Sequence, residues 1–128
     1  MFFRNAYPAL VWAVVILVLT LTPASDLPKA AWLEVYHVDK LIHIILFGVL
    51  YLLLMQGLMK KHLKELYNRA ILWSIAIVIL YGAAIEILQS VLPIGRSGDL
   101  FDWLADCAGA GIAYIIFGRW FRQKSISA

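Results

Sequence analysis

Long apolar runs alternate with short polar segments along the chain. The apolar runs cover residues 6–22, 39–59, 70–92 and 100–121, and each is close to the ~20 residues that a helix needs to cross a bilayer. Backbone groups in lipid must be satisfied within their own segment, so runs of this kind form helices. The pattern predicts an all-α fold, a four-helix transmembrane bundle with short connectors.

The first run has a second interpretation as the apolar part of a secretory signal peptide. Thr22, Pro23 and Ala24 loosely match the small-x-small pattern of a cleavage site. Proline inside such a site is unusual. We therefore interpret residues 6–22 as an uncleaved first span.

The composition also indicates an integral membrane protein. Hydrophobic residues make up 63% of the 128 residues and charged residues 15%, whereas soluble domains are closer to half apolar and a quarter charged. The length suits a single domain, residues 1–128. Cys107 is the only cysteine, which excludes an intrachain disulfide.

The basic residues predict an orientation rather than a nucleic-acid partner, although the net charge is +3. They concentrate in the connector after the second span and in the tail, as Lys60, Lys61, Lys64, Arg69, Arg119, Arg122 and Lys124. Connectors rich in Lys and Arg stay on the cytoplasmic side. We expect a multi-pass protein of the cell (inner) membrane with cytoplasmic N- and C-termini and with its first and third connectors outside.

Polar residues interrupt the apolar pattern at the predicted outer ends of three spans. They are Asp39, Lys40 and His43 in the second span, Glu86 and Gln89 in the third, Arg96 in the outer turn, and Asp99, Asp102 and Asp106 in the fourth. A charge at the centre of a membrane helix costs roughly 2.5–3.5 kcal/mol on insertion scales, so such residues are functional candidates. We expect these groups to meet at one membrane level.

Helical spacing places the same residues on inward faces. The rows are Lys40, His43, Phe47 and Tyr51; Ser74, Val78, Gly82, Glu86 and Ser90; and Asp99, Asp102, Asp106, Gly109 and Ala113. Each row advances by three or four residues, which is one face of a helix. Ala105, Gly109 and Ala113 also form a small-xxx-small row, typical of close helix contact in membranes.

Structural roles compete with functional ones for several of these residues. Asp99 and Asp39 suit helix N-caps, and Lys40 suits a side chain that reaches for the membrane surface. The structural alternative for His43 is a hydrogen bond to Glu86 or Asp102 inside the bundle, and we expect Gln89 to orient Glu86.

The motifs also carry a family resemblance. Asp39-Lys40-x-x-His43-x-x-x-Phe47, Glu86-x-x-Gln89 and Arg96-x-x-Asp99-x-x-Asp102, followed by Asp106 and Gly109, resemble the VanZ-like membrane protein family over spans two to four. Because that family is named for a member linked to resistance against teicoplanin, the resemblance implies a cell-envelope role. It assigns no role to Asp106, which stands where the family often has Asn.

Three functions fit these observations. The first is a pocket for an envelope lipid or lipid-linked precursor, with Glu86, His43 and Asp102 as acid–base groups. Its substrate-binding residues would be Arg96, Lys40, Gln89, Asp99 and Asp39, with Arg96 and Lys40 on an anionic head group. The second is a non-enzymatic protein whose ion network is structural or binds a partner, and the third is a proton-linked transporter.

The sequence leaves open whether a reaction is catalysed. It also leaves the cofactor open. A histidine with two carboxylates can ligate a divalent metal.

Overall fold

The structure is a computed structural model that describes residues 2–26, 36–59 and 64–126. Within these ranges the chain forms the helices α1 (Phe2–Leu21), α2 (Tyr36–Leu58), α3 (Lys64–Val91) and α4 (Leu100–Ile126), with a short 3-10 turn at Ala24–Asp26. The described residues form no strand. The predicted all-α fold with four helices is confirmed.

Three of the helices are long and apolar enough to cross a membrane. Their apolar segments are Val38–Leu58 in α2, Tyr67–Val91 in α3 and Leu100–Trp120 in α4. The corresponding segment of α1, Ala6–Leu21, is shorter. The chain is thus a membrane protein in which α1 differs in length from the other three helices.

Two helix boundaries test the predicted caps. Asp99 does cap α4, since the backbone N–H of Phe101 donates to Asp99 Oδ1 at 2.8 Å. The cap expected at Asp39 is wrong, because α2 already begins at Tyr36 and Asp39 lies within its first turn. A carboxylate there still suits the positive end of the helix dipole.

Helix α2 lies at the centre of the bundle and packs against α1, α3 and α4. Its core side chains Phe47, Leu50, Tyr51 and Met55 are at most 2% exposed. The predicted faces of α2 and α4 are therefore the packed faces. On α3, Ser74, Val78 and Gly82 are likewise buried, although Ser90 at the end of the predicted row is exposed.

Glycine allows α2 and α4 to approach very closely. A Cβ added at Gly109 would collide with the carbonyl group of Ile44, and one added at Gly48 would lie 3.2 Å from the Gly109 carbonyl oxygen. Ala105 and Ala113, the neighbours of Gly109 in the small-residue row, are 7% and 3% exposed. The small-xxx-small row of α4 is thus a contact between helix backbones, as predicted.

Polar bonds hold the shorter helix α1 in the bundle. They join Trp12 Nε1 to the Leu46 carbonyl at 2.9 Å, the Tyr81 hydroxyl to the Ala13 carbonyl at 2.6 Å, and Gln89 Nε2 to the Thr20 carbonyl at 2.8 Å. In each bond a side chain donates to a backbone carbonyl of another helix, and the three bonds lie at different levels along α1.

We predict that Gly109→Ala destabilises the bundle whereas Gly111→Ala does not. Alanine at 109 would push a methyl group into the Ile44 backbone, and overpacking of this kind typically costs about 1–3 kcal/mol. Position 111 has no atom within 4 Å of an added Cβ, so alanine there should be neutral or slightly stabilising. Thermal unfolding of both variants in detergent, followed by circular dichroism, measures the difference; equal midpoints would contradict the close contact.

Candidate functional site

The polar residues gather at one end of the bundle, where the first turns of α2 and α4 meet the last turns of α3. Lys40 Nζ lies 2.6 Å from Asp102 Oδ1 and 3.3 Å from Asp99 Oδ2. The three side chains are 19%, 11% and 32% exposed, so this ion pair forms a partly exposed rim. Lys40 is thus already bound to two carboxylates, whereas the sequence predicted it for an anionic head group.

A fully buried pair lies one helical turn deeper. His43 Nδ1 is 2.8 Å from Asp106 Oδ1, with side chains 3% and 0% exposed. The sequence suggested Glu86 or Asp102 as the hydrogen-bond partner of His43, but the structure pairs His43 with Asp106. Both helices start at the polar end and run in the same direction, so the step from Lys40 to His43 on α2 matches the step from Asp102 to Asp106 on α4.

Asp106 was thus expected at this end of the bundle, but its role as the partner of His43 was not predicted from the sequence. Its position on the inward face of α4, four residues after Asp102, was a usable signal. Because α2 and α4 run in parallel, the partner of His43 is expected one turn after the partner of Lys40.

Glu86 connects α3 to the start of α4. Its Oε2 accepts a hydrogen bond from the backbone N–H of Asp99 at 2.6 Å, while its Oε1 is buried and has no hydrogen-bond partner among the described residues. The Ser90 hydroxyl strengthens the same junction, because it donates to the Glu86 carbonyl at 2.8 Å and accepts from the Gly98 N–H at 3.2 Å.

The second oxygen of Asp106 faces α3. A Cβ added at Gly82 would lie 2.6 Å from Asp106 Oδ2. The carboxylate therefore fits against α3 only because residue 82 has no side chain. This oxygen is buried and, like Glu86 Oε1, has no hydrogen-bond partner in the described part of the chain. Gly82 lies one turn from Glu86, so both oxygens belong to the same region between α3 and α4.

Two sets of side chains have the spacing of metal ligands. His43, Glu86 and Asp106 form one set, and Asp39, His43 and Asp102 form the other; within each set the ligand atoms lie within 4.8 Å of one another. Both sets contain His43. The sequence analysis grouped His43 with Glu86 and Asp102. In the structure Glu86 belongs to the first set and Asp102 to the second.

Two other predicted site residues, Gln89 and Arg96, have no described hydrogen bond or ion pair with His43 or Asp106. Gln89 is 3% exposed and donates to α1 rather than to Glu86, so it fixes helix packing instead of orienting the acid. Arg96 is half-buried in the connector between α3 and α4, and no described carboxylate is within ion-pair distance of it.

Comparison with protein-family models gives a match over most of the chain. The family model described as VanZ/LLP1 matches residues 2–122. The chain belongs to the VanZ/LLP1 family. The match extends the resemblance seen over spans two to four to α1, so all four helices are part of the VanZ/LLP1 region. No curated protein and no solved structure matches the chain.

Among the described residues, the polar end of this VanZ/LLP1 bundle is acidic. Its described carboxylates are Asp26, Asp39, Glu86, Asp99, Asp102 and Asp106, and its described basic groups are Lys40, Arg96 and His43. A histidine held by a carboxylate is a common arrangement in general acid–base sites and in metal sites. The chemistry that this end can perform is therefore proton transfer, cation binding, or hydrogen bonding to a polar ligand.

The Lys40–Asp102 bridge should couple α2 to α4 energetically. We predict that Lys40→Gln lowers the free energy of unfolding by about 1–3 kcal/mol, because it leaves a largely buried carboxylate without its charged partner. Adding Asp102→Asn to that variant should recover part of the loss. A double-mutant cycle from chemical unfolding in detergent measures the coupling; strictly additive effects of the two substitutions would show that the bridge contributes nothing.

Proposed function

We propose that this protein binds the polar part of a cell-envelope lipid or lipid-linked precursor at the polar end of its bundle. The observation that carries the proposal is the arrangement of a buried His43–Asp106 pair beneath a partly exposed Lys40–Asp102 rim. The rim lies where apolar helices end, which is the level of a lipid head group in a bilayer. A lipid can reach this level by lateral diffusion, with its chains beside the exposed apolar surface of the helices.

The proposed orientation puts the polar end on the extracytoplasmic side of the inner membrane. Arg69 near the start of α3 and Arg119 near the end of α4 lie at the opposite end of the bundle. In the sequence, Lys60, Lys61 and Lys64 stand between Met59 and Arg69. Basic segments remain in the cytoplasm, which supports an outward-facing site.

The charges suggest which parts of a head group would be bound. Lys40 is shared between two aspartates, so Arg96 is the cation better suited to a phosphate group. The surplus of carboxylates suits the hydroxyl or amino groups of a sugar or amino-alcohol head group. Any proton transfer to or from such a group would fall to His43, with Asp106 orienting the imidazole.

A second candidate function is a non-enzymatic one, in which the ion network is structural or binds a protein partner. The bonds from Lys40 to α4, from Glu86 to the N–H of Asp99 and from Gln89 to α1 each join two helices. Interhelical hydrogen bonds stabilise membrane bundles by amounts near 0.6 kcal/mol on average. Under this hypothesis the polar residues would set the packing and nothing more.

Co-purifying lipid distinguishes the two candidates. We predict that native mass spectrometry of the protein in mild detergent detects a bound phosphate-bearing lipid, and that Arg96→Gln and His43→Gln reduce its occupancy. Arg69→Gln is the matched control, since it removes the same charge from an exposed residue at the opposite end while Lys60, Lys61 and Lys64 still mark the cytoplasmic side. Unchanged lipid occupancy in both site variants, together with lower thermal stability, would favour the structural function.

The family resemblance extends the proposal to glycopeptide resistance. We predict that expression of the chain in a teicoplanin-sensitive host raises the minimal inhibitory concentration of teicoplanin, and that His43→Gln abolishes the increase. Glutamine retains an amide for hydrogen bonding but does not titrate, so the comparison separates proton transfer from packing. Membrane levels of both proteins, measured by immunoblot, must be equal for the comparison, and an equal increase from the His43→Gln variant would refute the role given to this residue.

A further inference from the structure

Three helices each contribute one potential metal ligand to the same point in the buried part of the site. His43 comes from α2, Glu86 from α3 and Asp106 from α4, and their ligand atoms all lie within 4.8 Å of one another. The side chains of His43 and Asp106 are 3% and 0% exposed. The three ligand atoms are therefore close enough to bind one ion after a small movement of the side chains toward it.

Two carboxylate oxygens in this set are still able to accept a hydrogen bond or to bind an ion. Asp106 Oδ1 bonds His43, and Glu86 Oε2 bonds the Asp99 N–H, yet Asp106 Oδ2 and Glu86 Oε1 are buried without a hydrogen-bond partner in the described residues. Leaving a buried acceptor unsatisfied destabilises the folded protein, and a charged acceptor does so more strongly. A ligand that accepts electron pairs from both oxygens would remove this cost.

The local charge also favours a cation. Two carboxylates face one imidazole, and within the described residues no lysine or arginine forms an ion pair with Glu86 or Asp106. Lys40, the nearest lysine along α2, is held by Asp99 and Asp102. A bound divalent cation would balance the two negative charges.

The other set of potential ligands is less suitable. Asp102 in the set of Asp39, His43 and Asp102 is already paired with Lys40 at 2.6 Å. An ion there would lie beside the positive charge of the lysine. The unsatisfied oxygens belong to Glu86 and Asp106, which favours the deeper set.

We propose that His43, Glu86 and Asp106 form a binding site for a divalent transition-metal cation. Imidazole nitrogen together with carboxylate oxygen suits ions such as Zn²⁺ and Mn²⁺ better than Mg²⁺ or Ca²⁺, which prefer oxygen alone. Three protein ligands leave coordination positions for water or for a substrate oxygen. The site concerns the same end of the bundle as the proposed lipid, but binding of the ion does not depend on the lipid.

Metal content of delipidated protein tests this site. The protein is purified in detergent, stripped with a chelator, and dialysed to equilibrium against Zn²⁺ or Mn²⁺ before its metal content is measured by mass spectrometry. We expect one of the two ions to bind stoichiometrically and to raise the midpoint of thermal unfolding. Asp106→Asn and Glu86→Gln should each weaken binding at least about tenfold, because loss even of an outer-shell partner costs 10- to 100-fold.

Asp26→Asn is the matched control, since it removes an exposed carboxylate from the same end of the chain fold but outside the ligand set. It should bind the ion as the unsubstituted protein does. Substoichiometric metal in the unsubstituted protein, or equal binding by Asp106→Asn, Glu86→Gln and Asp26→Asn, would overturn the proposal.

Two further measurements keep the test decisive. Circular dichroism of the variants establishes folding. If a site variant does not fold, the thermal shift and the paramagnetic spectrum of Mn²⁺ in the unsubstituted protein decide instead, because an ion at the surface would retain the spectrum of the hydrated ion. Lipid occupancy is measured separately by native mass spectrometry. An unsubstituted protein that binds lipid but no metal contradicts the metal site alone, and one that binds metal but no lipid contradicts the lipid proposal alone.

Discussion

The backbone contact between α2 and α4 is the constraint on which the site depends. Gly109 lies against the Ile44 carbonyl group, and the two parallel helices are correspondingly close at the level just below the site. The ion pair of Lys40 and the hydrogen bond of His43 span this same interface at 2.6 and 2.8 Å. Lipid surrounds such helices with material as apolar as their own side chains, so close packing and polar bonds hold them together. The small residues and the charged ones therefore depend on each other, because side chains of this length meet only where the backbones approach.

Much of the fold follows from the residue pattern alone. Apolar length indicates the helices, Pro93 and the polar turn separate α3 from α4, and Asp99 caps the helix that follows it. Spacing of three and four residues also identified the inward faces, because burial in a bundle repeats with the turn of the helix. These are properties of single segments, and local rules are sufficient for them.

Partner choice between helices could not be predicted in the same way. Helical spacing fixes the direction in which His43 points but not the axial offset of α2 against α4, and an offset of one turn decides between Asp102 and Asp106 as its partner. Gln89 shows the same limit, since it was expected to orient Glu86 on its own helix but its bond goes to the Thr20 carbonyl on α1. Helix α2 already includes Tyr36, so the local cap signal at Asp39 did not locate its start.

The unequal lengths of the helices have a consequence for the surrounding membrane. At 1.5 Å per residue α1 (Phe2–Leu21) extends about 30 Å, whereas the apolar segment Tyr67–Val91 of α3 extends about 37 Å. A bilayer core of ~30 Å matches the first length and is shorter than the second, so hydrophobic mismatch acts mainly on one side of this small protein. Tilt of α3 or local thickening of the membrane beside it can accommodate the excess length. The bundle should then deform the bilayer unevenly, with the larger change on the side of α3.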